Sequence, residues 1–120
     1  CGSCTTCLEA CPTQALDQYR IDARKCISYL TIEHRGNFQE YQDGLHDWIY
    51  GCDICQDVCP WNEKFSHNSD QKEFQPKPEI LTWSNEDWQN LDEAGFRRIF
   101  KGSAVKRTKY TGLKRNINQN

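Results

Sequence analysis

A chain of 120 residues holds one domain, or one domain with an appendage. Its hydrophobic content of 37%, a mean hydropathy of −0.89 and the lack of any apolar run near bilayer length exclude a membrane-spanning helix, and no signal peptide is visible. The net charge of −2 conceals a split: residues 1–96 carry all 17 acidic side chains, whereas residues 97–120 carry eight basic ones and no acid, the asymmetry of a basic arm suited to a polyanion.

The chain opens on Cys1-Gly2-Ser3-Cys4-Thr5-Thr6-Cys7-Leu8-Glu9-Ala10-Cys11-Pro12. This is C-x2-C-x2-C-x3-C-P, a run in which the fourth cysteine serves a different iron–sulfur cluster from the first three. If the middle of the run is helical, Cys7 and Cys11 lie one above the other, and two cluster centres would stand roughly 10–12 Å apart. A partial copy follows at Cys52-Asp53-Ile54-Cys55-Gln56-Asp57-Val58-Cys59-Pro60, and Cys26 is the one cysteine left to lead it. The expected ligand sets are Cys1, Cys4, Cys7 and Cys59 for one 4Fe–4S cluster, and Cys11, Cys26, Cys52 and Cys55 for the other. A disulfide framework and structural zinc are the competing uses of eight cysteines. The spacing suits disulfides poorly, and zinc does not need a fourth ligand borrowed from another segment. Reduced thiols holding iron point to a cytoplasmic setting.

Residues 14–23 alternate around Tyr19 and Ile21 and predict a small hairpin. Asp22 is placed to cap a helix from Ala23 to about His34, with Cys26 in its first turn, and Gly36-Asn37 to end it. Residues 38–50 read as a connector that puts 25 residues between Cys26 and Cys52, far more than a compact ferredoxin uses. Trp48, Tyr50 and Trp61 flank the second motif and are expected to wall clusters from water. His34, His46 and His67 are scattered and read as ordinary surface histidines. A polar stretch over 63–79 with Pro76 and Pro78 suggests a linker.

Beyond it, Ser84 with Asp87 marks a helix start, and Asp92 caps Glu93–Lys101, which Gly102 stops. Ser103 caps a third segment from Ala104 to Tyr110, with Gly112 behind it. Arg97, Arg98, Lys101, Lys106, Arg107, Lys109, Lys114 and Arg115 crowd these turns without a local carboxylate and are the candidate contacts to a nucleic-acid backbone. No catalytic residue is identifiable. The fold class expected is α+β, mainly helical: a bacterial two-cluster ferredoxin-like domain with an insert, then a short helical basic tail. The division expected is 1–66 for the cluster domain, 67–80 for the linker and 81–120 for the basic helical segment. With no methionine, and with a ligand at position 1, the chain reads as part of something larger.

Three strings carry a family resemblance. They are Cys26-Ile27-Ser28-Tyr29-Leu30-Thr31-Ile32-Glu33; Tyr50-Gly51-Cys52-Asp53 with Cys55-Gln56 and Cys59-Pro60-Trp61-Asn62; and Gly102-Ser103-Ala104 with Lys106-Arg107, then Gly112-Leu113 with Arg115-Asn116. Together they resemble the tRNA epoxyqueuosine reductases over essentially the whole chain. The resemblance implies a cobalamin-dependent iron–sulfur oxidoreductase that converts epoxyqueuosine to queuosine at the wobble position of a queuosine-type tRNA anticodon. It also implies an external electron donor, and an amino-terminal domain carrying most of the cobalamin site, without which this portion would not turn over. A ferredoxin-like carrier module of another corrinoid or redox enzyme is the alternative; it leaves the insert and the basic tail unexplained.

Overall fold

Two cysteine–proline pairs shape the amino-terminal half. A residue before proline is driven out of helical geometry, and both Cys11 (φ −68°, ψ 111°) and Cys59 (φ −74°, ψ 117°) are extended. The first pair ends helix α1 (Thr6–Ala10), whose Thr5 hydroxyl donates to Glu9 one turn on. The second starts α4 (Pro60–Phe65), with Pro60 at its first turn, where the missing N–H costs nothing. The computed structural model describes residues 1–38 and 45–119. The remaining helices are α2 (Ile27–Ile32), α3 (Ile54–Asp57), α5 (Asn85–Asn90), α6 (Glu93–Ile99) and α7 (Lys109–Ile117), with 3₁₀ turns at Lys72–Phe74, Pro78–Thr82 and Ala104–Thr108. Among the described residues the sheet is one hairpin, β1 (Leu16–Asp17) antiparallel to β2 (Arg20–Ile21), with Leu16 opposite Ile21. Tyr19 turns it at φ +60°. No helix among the described residues is long and apolar enough to cross a membrane.

The second helix departs from expectation. It begins at Ile27 with Cys26 as its N-cap residue, and ends at Ile32 instead of near His34. Asp22 is occupied elsewhere, accepting from the backbone N–H and guanidinium of Arg24 in a local turn. Such side-chain-to-backbone bonds compete with helix formation. Of the connector expected over 38–50, residues 39–44 lie outside the described residues.

The carboxy-terminal helices start as their caps dictate. Ser84 accepts from Asp87 N–H while the Asp87 carboxylate accepts from Ser84 N–H at 2.7 Å, so the shorter aspartate closes a capping box usually written with glutamate. Asp92 accepts from Gly95 N–H at 2.7 Å and caps α6, which stops at Ile99, two residues before the expected end. Leu91, Phe96, Ile99, Phe100, Leu113 and Ile117 make one core, against which Ile49, Tyr50, Trp83, Trp88 and Tyr110 pack.

Gly112 is a correction. The sequence places it behind a helix ending at Tyr110, yet it is buried inside α7. A Cβ there would stand 2.6 Å from Thr108 Oγ1, so close approach, not chain reversal, calls for glycine.

Helix α7 is joined to α2 by the backbone groups that α2 cannot satisfy itself. The last carbonyls of any α-helix lack intrahelical donors. Here Leu30 O accepts from Arg115, Thr31 O from both Thr108 Oγ1 (2.9 Å) and Asn116 Nδ2 (2.8 Å), and Ile32 O from Arg35. Thr31, Thr108 and Asn116 are buried. Thr108 and Asn116 thus tie the carboxy-terminal segment to Thr31 and Ile49.

Among the described residues, neither Tyr50 nor Trp61 lines the cysteine cavity as the sequence predicts. Ile49 and Tyr50 face the carboxy-terminal core, with Tyr50 OH donating to Ala104 O at 2.8 Å. Trp61 is 57% exposed and stacks on Phe65. Small aliphatic side chains line the cysteine cavity instead.

Candidate metal centre

Three separate segments bring four thiols together. Cys11 follows α1, Cys26 caps α2, Cys52 precedes α3, and Cys55 lies within it. All four line one cavity of about 40 Å³, with Pro12, Ala15, Ile27 and Ile54 among the other walls. Burial pushes the Cys52 thiol up, and the nearby Cys55, Cys26 and Cys11 push it further. Among the described residues no three His, Cys, Asp or Glu side chains converge on a single-ion point. The four cysteines line the same cavity, the placement that ligands of one iron–sulfur cluster share.

Cys1, Cys4 and Cys7 line a second, open recess of about 650 Å³ with the hairpin residues Leu16 to Ile21. Cys59 caps α4 just after α3, and α3 packs on α1, which carries Cys7; Cys59 does not itself line the recess. None of the three histidines lines either cavity. None of the eight cysteines is joined to another in a disulfide.

Two threonines join the site that sequence reading passed over. The Thr6 hydroxyl lies 3.3 Å from Cys4 Sγ, and hydrogen bonds from Thr6 hold the Cys4 thiol below its usual range. Burial pushes Cys11 up, but the Thr13 hydroxyl (3.7 Å) and the backbone N–H of Ala15 (3.3 Å) and its neighbours outweigh it and bring the thiol down. Hydrogen bonds of this kind favour the anionic sulfur that iron binds. The available signal was a threonine two residues after each of Cys4 and Cys11.

The eight cations of the tail fall into three groups. Carboxylates from outside residues 97–120 meet three of them: Glu93 meets Arg97 at 2.6 Å, Glu79 meets Arg98 at 3.5 Å, and Glu33 takes Arg107 on both oxygens. Arg115 is turned inward. Its nitrogens donate to Leu30 O, His34 O, Gly36 O and Asn116 Oδ1, and its guanidinium lies 4.0 Å from the Phe38 ring centre. Lys114 donates to Gln89 O. Lys101, Lys106 and Lys109 are exposed. Lys109 takes φ +63°, ψ 165°, backbone territory that glycine normally occupies.

Comparison with known proteins agrees with this geometry. The profile of the 4Fe–4S double cluster binding domain matches residues 1–62. Epoxyqueuosine reductase of Cellulophaga algicola is 52% identical over 119 residues, covering 98% of this chain and 39% of that protein. Epoxyqueuosine reductase of Synechocystis is 45% identical over 123 residues, covering all of this chain and 43% of the relative. The crystal structure of an epoxyqueuosine reductase with an epoxyqueuosine-modified tRNA-Tyr stem loop superposes with a TM-score of 0.83 at 34% identity, over 98% of this chain and 31% of that one. The enzyme from Bacillus subtilis gives 0.82 at 34% identity, over 98% of this chain and 32% of its own. The chain spans about two fifths of the curated relatives and about a third of the solved ones. With thiols from three segments lining one cavity, three more lining a second recess and a matching profile over residues 1–62, the chain belongs to the 4Fe–4S double cluster binding family.

Proposed function

We propose that this chain is the electron-delivery and tRNA-contacting portion of an epoxyqueuosine reductase. Cys1, Cys4, Cys7 and Cys59 hold one 4Fe–4S cluster, and Cys11, Cys26, Cys52 and Cys55 hold the other. The observation that carries the reading is the second quartet, four thiols from three segments around one cavity. Each cluster, when bound, takes up and releases a single electron. The protein's part is to set the surroundings. Thr13 and the Ala15 N–H stabilise charge on Cys11, and Ala15, Ile27 and Ile54 keep water from the cavity. The open recess of Cys1, Cys4 and Cys7 is the side from which an external donor would reach the first cluster. Cobalamin belongs to the remainder of such an enzyme.

The polyanion is the anticodon arm of a tRNA, met through its backbone. Of the eight cations of the tail, Lys101, Lys106 and Lys109 are exposed and meet no carboxylate among the described residues; Arg97, Arg98 and Arg107 are exposed but partly neutralised by their carboxylates, and Arg115 and Lys114 are engaged with carbonyl groups. The strained backbone at Lys109 supports this placement. Anaerobic reconstitution tests the cluster assignment. The expected result is about eight irons per chain and, on reduction, an electron paramagnetic resonance signal of two interacting clusters. About four irons, or zinc bound in preference, would overturn it.

A further inference from the structure

We propose that Thr31 and Asn116 are positioning residues for the second sulfur quartet; the proposal rests on the cluster assignment above. Cys26 and Cys52 are separated by 25 residues, and their segments meet through one buried network. The Asn116 side-chain amide spends its two N–H donors on Thr31 O at 2.8 Å and Ile49 O at 2.9 Å. Ile49 lies three residues before Cys52. The Thr31 hydroxyl donates to Ile27 O at 2.8 Å and accepts from the N–H of Gly51, the residue next to Cys52, at 3.0 Å. Thr31 belongs to α2, whose N-cap residue is Cys26, and Leu30 N–H donates to Cys26 O at 2.9 Å. The orientation of the amide is set in turn by Arg115, which donates to Asn116 Oδ1 from two nitrogens.

The polar side-chain atoms of Thr31 and Asn116 all have partners and stand clear of water, both residues being 0% exposed. A fully satisfied buried network holds its members in one arrangement, because any shift leaves a donor or acceptor unpaired in a medium that penalises it. The arrangement it holds is the backbone spacing between the Cys26 and Cys52 segments. Two of the four thiols of the cavity are therefore placed by residues that touch no sulfur. Cys1, Cys4 and Cys7 lie on α1 and its approach, away from this network.

The test uses the reconstituted protein and compares Thr31→Val, Thr31→Ser, Asn116→Asp and, as a control of packing, Leu91→Ala in the carboxy-terminal core, which Ile49 packs against but which contains no member of the hydrogen-bonded network. The readouts are iron content, the paramagnetic signal of each cluster and its midpoint potential. Thr31→Val and Asn116→Asp are expected to keep the signal of the first cluster and to lose or shift that of the second, with iron falling toward half. Thr31→Ser, which keeps the hydroxyl, should match the parent, and Leu91→Ala should leave both potentials in place. Should Thr31→Val fail to fold, the Asn116→Asp and Leu91→Ala pair decides on the same readouts. The proposal is overturned if Asn116→Asp keeps the parent's second signal and potential, or if Leu91→Ala moves them as far. A parent protein that takes up no iron would instead refute the cluster assignment.

Discussion

Gly112→Ala sets helix propensity against packing. The position is interior to α7, where alanine in place of glycine is favoured by about 0.9 kcal/mol. The new Cβ would stand 2.6 Å from Thr108 Oγ1, the atom that donates to Thr31 O. Displacing a buried hydroxyl from its acceptor costs roughly 1–3 kcal/mol, and an extra methyl in a close-packed contact costs roughly 1–3 kcal/mol. Taking the middle of each range, the variant is less stable by about 3 kcal/mol. With a urea slope of about 1.5 kcal/mol/M, the midpoint falls by about 2 M. The double variant isolates the cause. The Thr108 Cβ would lie 3.7 Å from the added methyl, an ordinary contact, so in a Thr108→Ala background Gly112→Ala should raise the midpoint, reflecting a gain of about 0.5–1 kcal/mol. A single variant as stable as the parent, or a double variant without the reversal of sign, would refute the reasoning.

Arg115→Lys replaces a planar fork by a point charge with three donors and leaves carbonyls at residues 30, 34 and 36 short of partners; a loss of roughly 2–4 kcal/mol in urea unfolding is expected, and an unchanged midpoint would contradict it. Three phosphate contacts from Lys101, Lys106 and Lys109 predict a log–log salt slope of about −2 to −3 for a tRNA anticodon stem loop, against about −7 if all eight cations took part. The triple glutamine variant should flatten this slope. Lys109→Gly removes backbone strain at φ +63° and should gain about 1 kcal/mol after the entropic cost of glycine, while weakening stem-loop binding. Hydrogen bonding from Arg107 holds the Glu33 carboxyl below its usual range. Its contribution to stability is thus present above the ordinary glutamate range and is lost as pH falls through the lowered value. A carbon NMR titration should find Glu33 low in the parent and returned upward in Arg107→Gln; identical titrations would reject the pair.

The sequence alone was informative wherever the governing interaction is short in range. Cys11 and Cys59 are extended because proline follows each, and α5 and α6 begin where Ser84 and Asp92 cap them, all effects of residues within a few positions. The grouping of eight cysteines into interleaved sets could be proposed from spacing for the same reason. Tertiary structure alone decided which distant groups meet. Arg115 reads in sequence as one more cation of a basic arm, and only the fold reveals that its donors serve carbonyls about 80 positions earlier. Gly112 reads as a helix stop, and only the approach of Thr108 to Thr31 explains it as a packing residue. Charge and glycine content are properties of the chain, but a helix end left short of hydrogen-bond partners is satisfied by whatever the fold brings against it, and that choice is written in no local pattern.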